Sequence, residues 1–242
     1  EENPDRDPVF KFDRHTGDIL MSFGAGLFVL PHGLHVDDEG NVWITDSQGN
    51  DSGTKGHQVI KFSPEGEILL RLGVAGQPGS EPGLLNEPCD VITAKNGDIF
   101  VSDGHSGQGE DPPPGSTGRI LKFDRDGEFI KGWGEIGFRP GQFRTPHALE
   151  FDSQGRLYVA DRGNHRIQIF DQEGNFLETY IQYSRVSGLF ITADDTLYAI
   201  DSESSPTRHP GWKTGVRIGK SSEDRPVGFI PPHANEMQVF NG

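Results

Sequence analysis

Four copies of one pattern, each an alternating strand pair closed by an aspartate, predict an all-β propeller of small β-sheet blades. The closing residues Asp46, Asp103, Asp161 and Asp201 lie 57, 58 and 40 residues apart, so the unit is near 40 residues with insertions in two copies. Two further observations agree. A second strand pair follows most copies, and no stretch shows the 3.6-residue apolar period of an amphipathic helix.

The elements follow in order. Residues 8–24, with Phe10, Phe12 and the 19–23 run, match only the second half of a blade. The full copies run from Pro31-His32-Gly33-Leu34 to Trp43-Ile44-Thr45-Asp46, and from Pro88-Cys89-Asp90-Val91 to Phe100-Val101-Ser102-Asp103. The next two run from Pro146-His147-Ala148-Leu149 to Tyr158-Val159-Ala160-Asp161, and from Val186-Ser187-Gly188-Leu189 to Tyr198-Ala199-Ile200-Asp201. Second pairs are expected at 57–62 with 67–72, 119–123 with 128–133, and 166–170 with 175–180. Each turns on a glycine: Gly66, Gly127 or Gly174. Insertions 47–56 and 104–118, the latter with Pro112-Pro113-Pro114, read as loops. Beyond Ile230 there is room for one strand, at 236–240, to pair with the first half-blade and close the ring. The expectation is one propeller domain over 1–242, with four full blades and a terminal composite blade, five in all.

Charge excludes one class of partner. Asp and Glu number 37 against 22 Lys and Arg, a net charge of −15, and no basic cluster offers a nucleic-acid face. The single cysteine, Cys89, excludes an intrachain disulfide and a multi-cysteine zinc site. Apolar runs fall far short of the ~20 residues of a membrane span, and Glu1-Glu2-Asn3-Pro4 has no signal-peptide character.

The repeats resemble NHL repeats, and more narrowly the lyase domain of the peptidylglycine α-amidating enzymes and its bacterial relatives. Besides the Pro-His starts, Ser102-Asp103-Gly104, Arg139-Pro140-Gly141-Gln142-Phe143 and Ala160-Asp161-Arg162 with Arg166-Ile167-Gln168 carry the likeness. It runs from about residue 7 to residue 180 and weakens beyond. The resemblance implies six blades rather than five, a catalytic zinc on three histidines and a structural calcium. It also implies cleavage of peptidyl-α-hydroxyglycine to an amide and glyoxylate, in a secreted or periplasmic setting. By motif the zinc ligands fall on His32 and His147, with His233 of Pro232-His233-Ala234 as the third, where the family has Pro-His-Asp. Calcium falls on the carbonyl of Leu34, and Arg162 keeps the family's arginine. His105 stands where the family has a tyrosine, and a second family arginine would fall before Glu1. With those changes, weak or no cleavage of simple α-hydroxyglycine substrates is expected.

The residues themselves support part of this. The residue after each opening proline forms the series His32, Cys89, His147, Ser187 and His233 at the starts of the innermost strands. Imidazoles from alternate blades converging on one axis make a trigonal base for Zn²⁺, with a fourth position for water or substrate. The plainer reading of Pro-His is a strand start with a capped imidazole. Arg162 either clamps a substrate carboxylate or pairs with a neighbouring acid. His105 is a candidate general base, or a solvated histidine of a Gly-rich loop. The recurring aspartates read as acceptors for nearby backbone N–H groups.

Three functions are thereby open: a zinc-dependent lyase acting on a small-molecule or peptide ligand in the central channel; a non-catalytic NHL propeller binding a protein or peptide; and a calcium-dependent lactonase. The lactonases place Glu, Asn and Asp where this chain has His.

Overall fold

The computed structural model describes residues 6–109 and 111–233. Strands account for nearly all its regular structure, and four sheets of four antiparallel strands are present, each ordered along the chain. They are the NHL-type propeller blades that the repeats predict.

Two compact units divide the chain. The first comprises residues 1–103 and 121–131, the second 104–120 and 132–242. In the first unit, β1 (Val9–Phe12) and β2 (Ile19–Phe23) form a two-stranded sheet, the expected half-blade. The blade β3 (Pro31–Val36), β4 (Val42–Asp46), β5 (Gln58–Phe62) and β6 (Ile68–Leu72) follows. Next come β7 (Pro88–Thr93) and β8 (Ile99–Asp103), the inner pair of the blade completed by β9 (Arg119–Phe123) and β10 (Phe129–Trp133). The second unit holds the blade β11 (Pro146–Phe151), β12 (Leu157–Asp161), β13 (Arg166–Phe170) and β14 (Phe176–Tyr180). Its other blade is β15 (Val186–Ile191), β16 (Thr196–Asp201), β17 (Gly215–Lys220) and β18 (Gly228–Ile230). The strand expected at 236–240, which would complete a composite fifth blade with β1–β2, lies outside the described residues.

The turns explain why these residues pair where they do. At Asp37, Asp124, Asp152 and Asp171 the side chain accepts the N–H groups two and four residues on, which closes the tight connection to the next strand. Alternation then sends one side-chain set inward. In the first unit Trp43, Val59, Val91, Val101 and Phe123 pack together; in the second, Tyr158, Ile167, Tyr180, Val186 and Leu197 do so. Each large side chain so buried contributes about 1.5–3 kcal/mol.

Two features depart from the sequence reading. The 104–118 loop contains a short 3-10 turn, His105–Gln108. The outer strands of the last blade come only after a long loop, 202–214, whose sequence carries no strand alternation. Among the described residues no helix is long and apolar enough to cross a membrane.

Candidate functional site

Each blade begins in the same way. Pro31, Pro88, Pro146 and Val186 sit opposite the closing aspartates, and the register then shifts, passing over His32 with Gly33 in the first blade and over Cys89, His147 and Ser187 in the others. A bulge of this kind frees a side chain from the strict alternation of the strand and re-aims it. The aspartate secures the chain just before the bulge. Asp46 accepts from Val29 N, Asp103 from Asn86 N, Asp161 from Arg144 N and Asp201 from Ser184 Oγ, each partner 17 residues earlier. The recurring aspartates are thus acceptors, as expected, but Asp46, Asp103 and Asp161 bond N–H groups 17 residues back rather than those of a neighbouring turn, and so act as clamps.

In the first unit, His32 is half-buried and its Nδ1 donates to the carbonyl of Cys89 at 2.8 Å. The hydroxyl of Thr45 donates to the same carbonyl at 3.2 Å and accepts from Gly33 N at 2.7 Å. Only glycine fits at 33, because a Cβ there would stand 2.5 Å from the Cys89 carbonyl oxygen. In the second unit His147 repeats the arrangement, Nδ1 donating to the Ser187 carbonyl at 2.7 Å. A carbonyl can only accept, so Nδ1 carries a proton in both rings, and Nε2 is the lone-pair atom of the neutral imidazole. Metal-binding imidazoles are usually oriented in this way.

His105 opens the 3-10 turn of the second unit, anchored where its carbonyl accepts from Thr145 Oγ1 at 2.9 Å. Its ring lies 5.6 Å from that of His147, with planes inclined at 52°. It is half-buried against another imidazole rather than solvated in a loop. Nothing in the glycine-rich sequence around it announced that packing.

Arg162 is buried, 5% exposed. Its neighbour Asp161 is already taken by Arg166 Nε at 2.7 Å, and Arg162 Nη1 instead faces Glu203 Oε1 at 3.7 Å. Glu203 also accepts from Arg185 Nη2 at 2.8 Å. Arg185 and Glu203 carry no motif, and sequence reading passed over both. Burial opposes charge on Glu203, but its hydrogen bond to Arg185 and the three surrounding guanidinium charges hold the carboxyl below its ordinary value. His233 is exposed just beyond β18, and Leu34 lies opposite Ile44 in the β3–β4 ladder with its side chain exposed. The described structure brings His105 to His147 and Arg162 to Glu203.

Known proteins agree with the repeat pattern. The NHL repeat family model matches residues 143–170. The chain is 37% identical over 243 residues to peptidyl-glycine alpha-amidating monooxygenase B of Xenopus laevis, covering 94% of this chain and 25% of that protein. It is 34% identical over 245 residues to peptidyl-alpha-hydroxyglycine alpha-amidating lyase 1 of Drosophila melanogaster, covering 96% of this chain and 39% of that one. The chain therefore spans between a quarter and two fifths of the length of these relatives. Among solved structures, a streptogramin B lyase superposes with a TM-score of 0.59 at 17% identity, covering 93% of this chain and 62% of that one, a likeness of fold alone.

Proposed function

We propose that this NHL-repeat propeller, related to the peptidyl-α-hydroxyglycine α-amidating lyases, is a zinc-dependent lyase that slowly splits α-hydroxyglycine compounds into an amide and glyoxylate. The observation that carries the reading is the shared orientation of His32 and His147, each with Nδ1 bonded to a neighbouring blade's carbonyl. Their Nε2 atoms suit a borderline-soft cation that accepts nitrogen donors. His105, packed on His147, supplies the third nitrogen in this reading, the role that the sequence pattern assigned to His233. Zinc held there would supply Lewis acidity toward a substrate oxygen.

The chain's own part is to bind and orient. Arg162, buried and positioned by the strand end at Asp161, holds the substrate carboxylate. The reaction breaks the C–N bond, the hydroxyl gives up its proton and the nitrogen takes one, so no redox partner enters. Turnover is slow for two reasons. An imidazole stands where the family has a phenol, and Arg162 already faces a carboxylate in Glu203. Calcium on the Leu34 carbonyl, and a secreted or periplasmic setting, belong to the same proposal by relationship alone.

The Arg162–Glu203 ion pair also favours a competing reading, a propeller that binds a protein or peptide without catalysis. One experiment separates the two. After purification without added metal, zinc is expected near one per chain, and glyoxylate release from α-hydroxyhippurate is expected to be slow but zinc-dependent. His32→Ala and His147→Ala should each weaken zinc binding about 10²-fold or more and stop release. A chain that binds no zinc, or turnover indifferent to both substitutions, would overturn the lyase reading.

A further inference from the structure

Within the second unit, three guanidinium groups surround one carboxylate. Arg185 donates to Glu203 Oε2 through Nε at 3.0 Å and Nη2 at 2.8 Å. Arg162 Nη1 and Arg208 Nη1 stand 3.7 and 3.5 Å from Oε1. Arg162 and Arg185 are both more than nine-tenths buried, whereas Arg208 is exposed. Arg185 is held from behind as well: Nη2 donates to Gln108 Oε1 at 2.6 Å and Nη1 to the Arg162 carbonyl at 3.3 Å. The Arg185 guanidinium is thus fixed by the turns at 105–108 and 162–164, independently of Glu203, while the buried Arg162 guanidinium faces Glu203 across 3.7 Å.

Glu203 belongs to a different kind of element. It sits on the 202–214 loop, whereas after Asp161 the corresponding connection is only the short turn Arg162–Asn164 and His165. The loop is pinned by Ser204 Oγ on Asp201 at 2.6 Å, by His209 Nδ1 against Ser184 Oγ at 2.9 Å, and by the His209 ring stacked on His165 at 4.0 Å. None of these contacts involves the Glu203 carboxylate, which retains 26% of its side-chain exposure. Two buried cations, Arg185 anchored from behind, thus meet a solvent-reachable carboxylate carried on a loop, and a buried cation needs such an anionic partner.

We propose that Arg162 and Arg185 form a two-guanidinium carboxylate subsite, that Glu203 fills it as an internal ligand, and that a substrate carboxylate binds by displacing Glu203. The exchange conserves charge, carboxylate for carboxylate. It is disfavoured because a tethered carboxylate acts at an effective concentration in the millimolar range. Arg185 is then the second carboxylate-recognising arginine of the site. The lyase reading enters only in identifying the substrate as an α-hydroxyglycine acid.

The test uses glycolate as the probe on the intact chain, freed of metal by chelation, with binding followed by calorimetry. The wild-type chain should bind glycolate weakly. Glu203→Gln should bind it at least tenfold tighter, and Glu203→Gln combined with Arg185→Gln should lose the gain. A folded Glu203→Gln chain that binds glycolate no tighter than wild type overturns the proposal. If Glu203→Gln does not fold unaided, refolding in acetate and in acetamide decides. Recovery in acetate alone supports the subsite, and recovery in neither overturns it. With zinc restored, glycolate tightening without glyoxylate release in any variant leaves the subsite standing and removes the lyase reading. Release that His147→Ala stops, without tightening, does the reverse.

Discussion

The inner strands β3 and β11, one in each unit, both begin Pro-His, both skip the histidine in the ladder and both are clamped by an aspartate at the end of the next strand. Their fourth residues, however, are Leu34 at 57% exposure and Leu149 at 3%, and their fifth are His35 and Glu150. The aspartates differ too. Asp46 accepts backbone N–H groups, while Asp161 also neutralises Arg166 and accepts from Asn164 and Gln168. The repeat thus dictates backbone path and histidine orientation, and leaves burial and charge to each blade.

The largest expected effect concerns the clamps. Asp161→Ala removes the Arg144 clamp and the carboxylate partner of Arg166, leaving that guanidinium only its backbone carbonyl acceptors, so it should cost about 3–5 kcal/mol in urea unfolding. Asp46→Ala loses hydrogen bonds to Val29 and Leu30 and should cost about 1–3 kcal/mol. Equal losses would mean that Arg166 adds nothing to the clamp.

Burial is the next comparison. Leu149→Ala should destabilise by about 2–4 kcal/mol, and the matched Leu34→Ala by less than about 0.5 kcal/mol. A large loss at Leu34 would show that its exposed side chain is covered in solution.

The smallest effect, and the most diagnostic, is in the pH dependence. Burial pushes the Glu150 carboxyl up to about 7, against the backbone N–H groups of Phe151 and Ile191 that favour its ionised form. Its folded value lies above its unfolded one, so its stabilisation is complete below about pH 4.5 and is lost as pH rises through about 7. Glu150→Gln should therefore raise stability at pH 8, by about 1–3 kcal/mol, and leave it unchanged at pH 4. His35 runs the other way. Burial lowers its value, outweighing the nearby Asp37 and Asp38 charges, so its contribution is present above about pH 6.5 and lost as pH falls. His35→Gln should therefore matter less for stability in acid, relative to wild type, than at pH 8. Melting temperatures across pH 4–8 check both signs, and parallel profiles for the two variants would break the comparison.

Much of this molecule follows from local sequence. Alternating residues around Asp-x-x-Gly turns locate strands to within about a residue, as at 119–123 and 166–170, because strand period and turn chemistry are settled over a few neighbours. That the aspartates accept backbone N–H groups was legible from their recurrence, whereas the partner, 17 residues earlier in the chain, was not. β17 and β18 were not, since the 202–214 loop separates them from their partners and no Asp-Gly turn marks their own connection.

Tertiary structure decided the chemistry in the loops. That His105 packs on His147, across 42 positions of chain, depends on where a glycine-rich loop returns, and its sequence carries no period to read. The meeting of Arg162, Arg185 and Glu203 arises in the same way, from three connections that converge beyond the strand ends. A β-ladder is specified by residues that repeat at fixed spacing. A cluster of charged side chains is specified only by the path of the backbone that carries them, and that path becomes definite once the blades have packed.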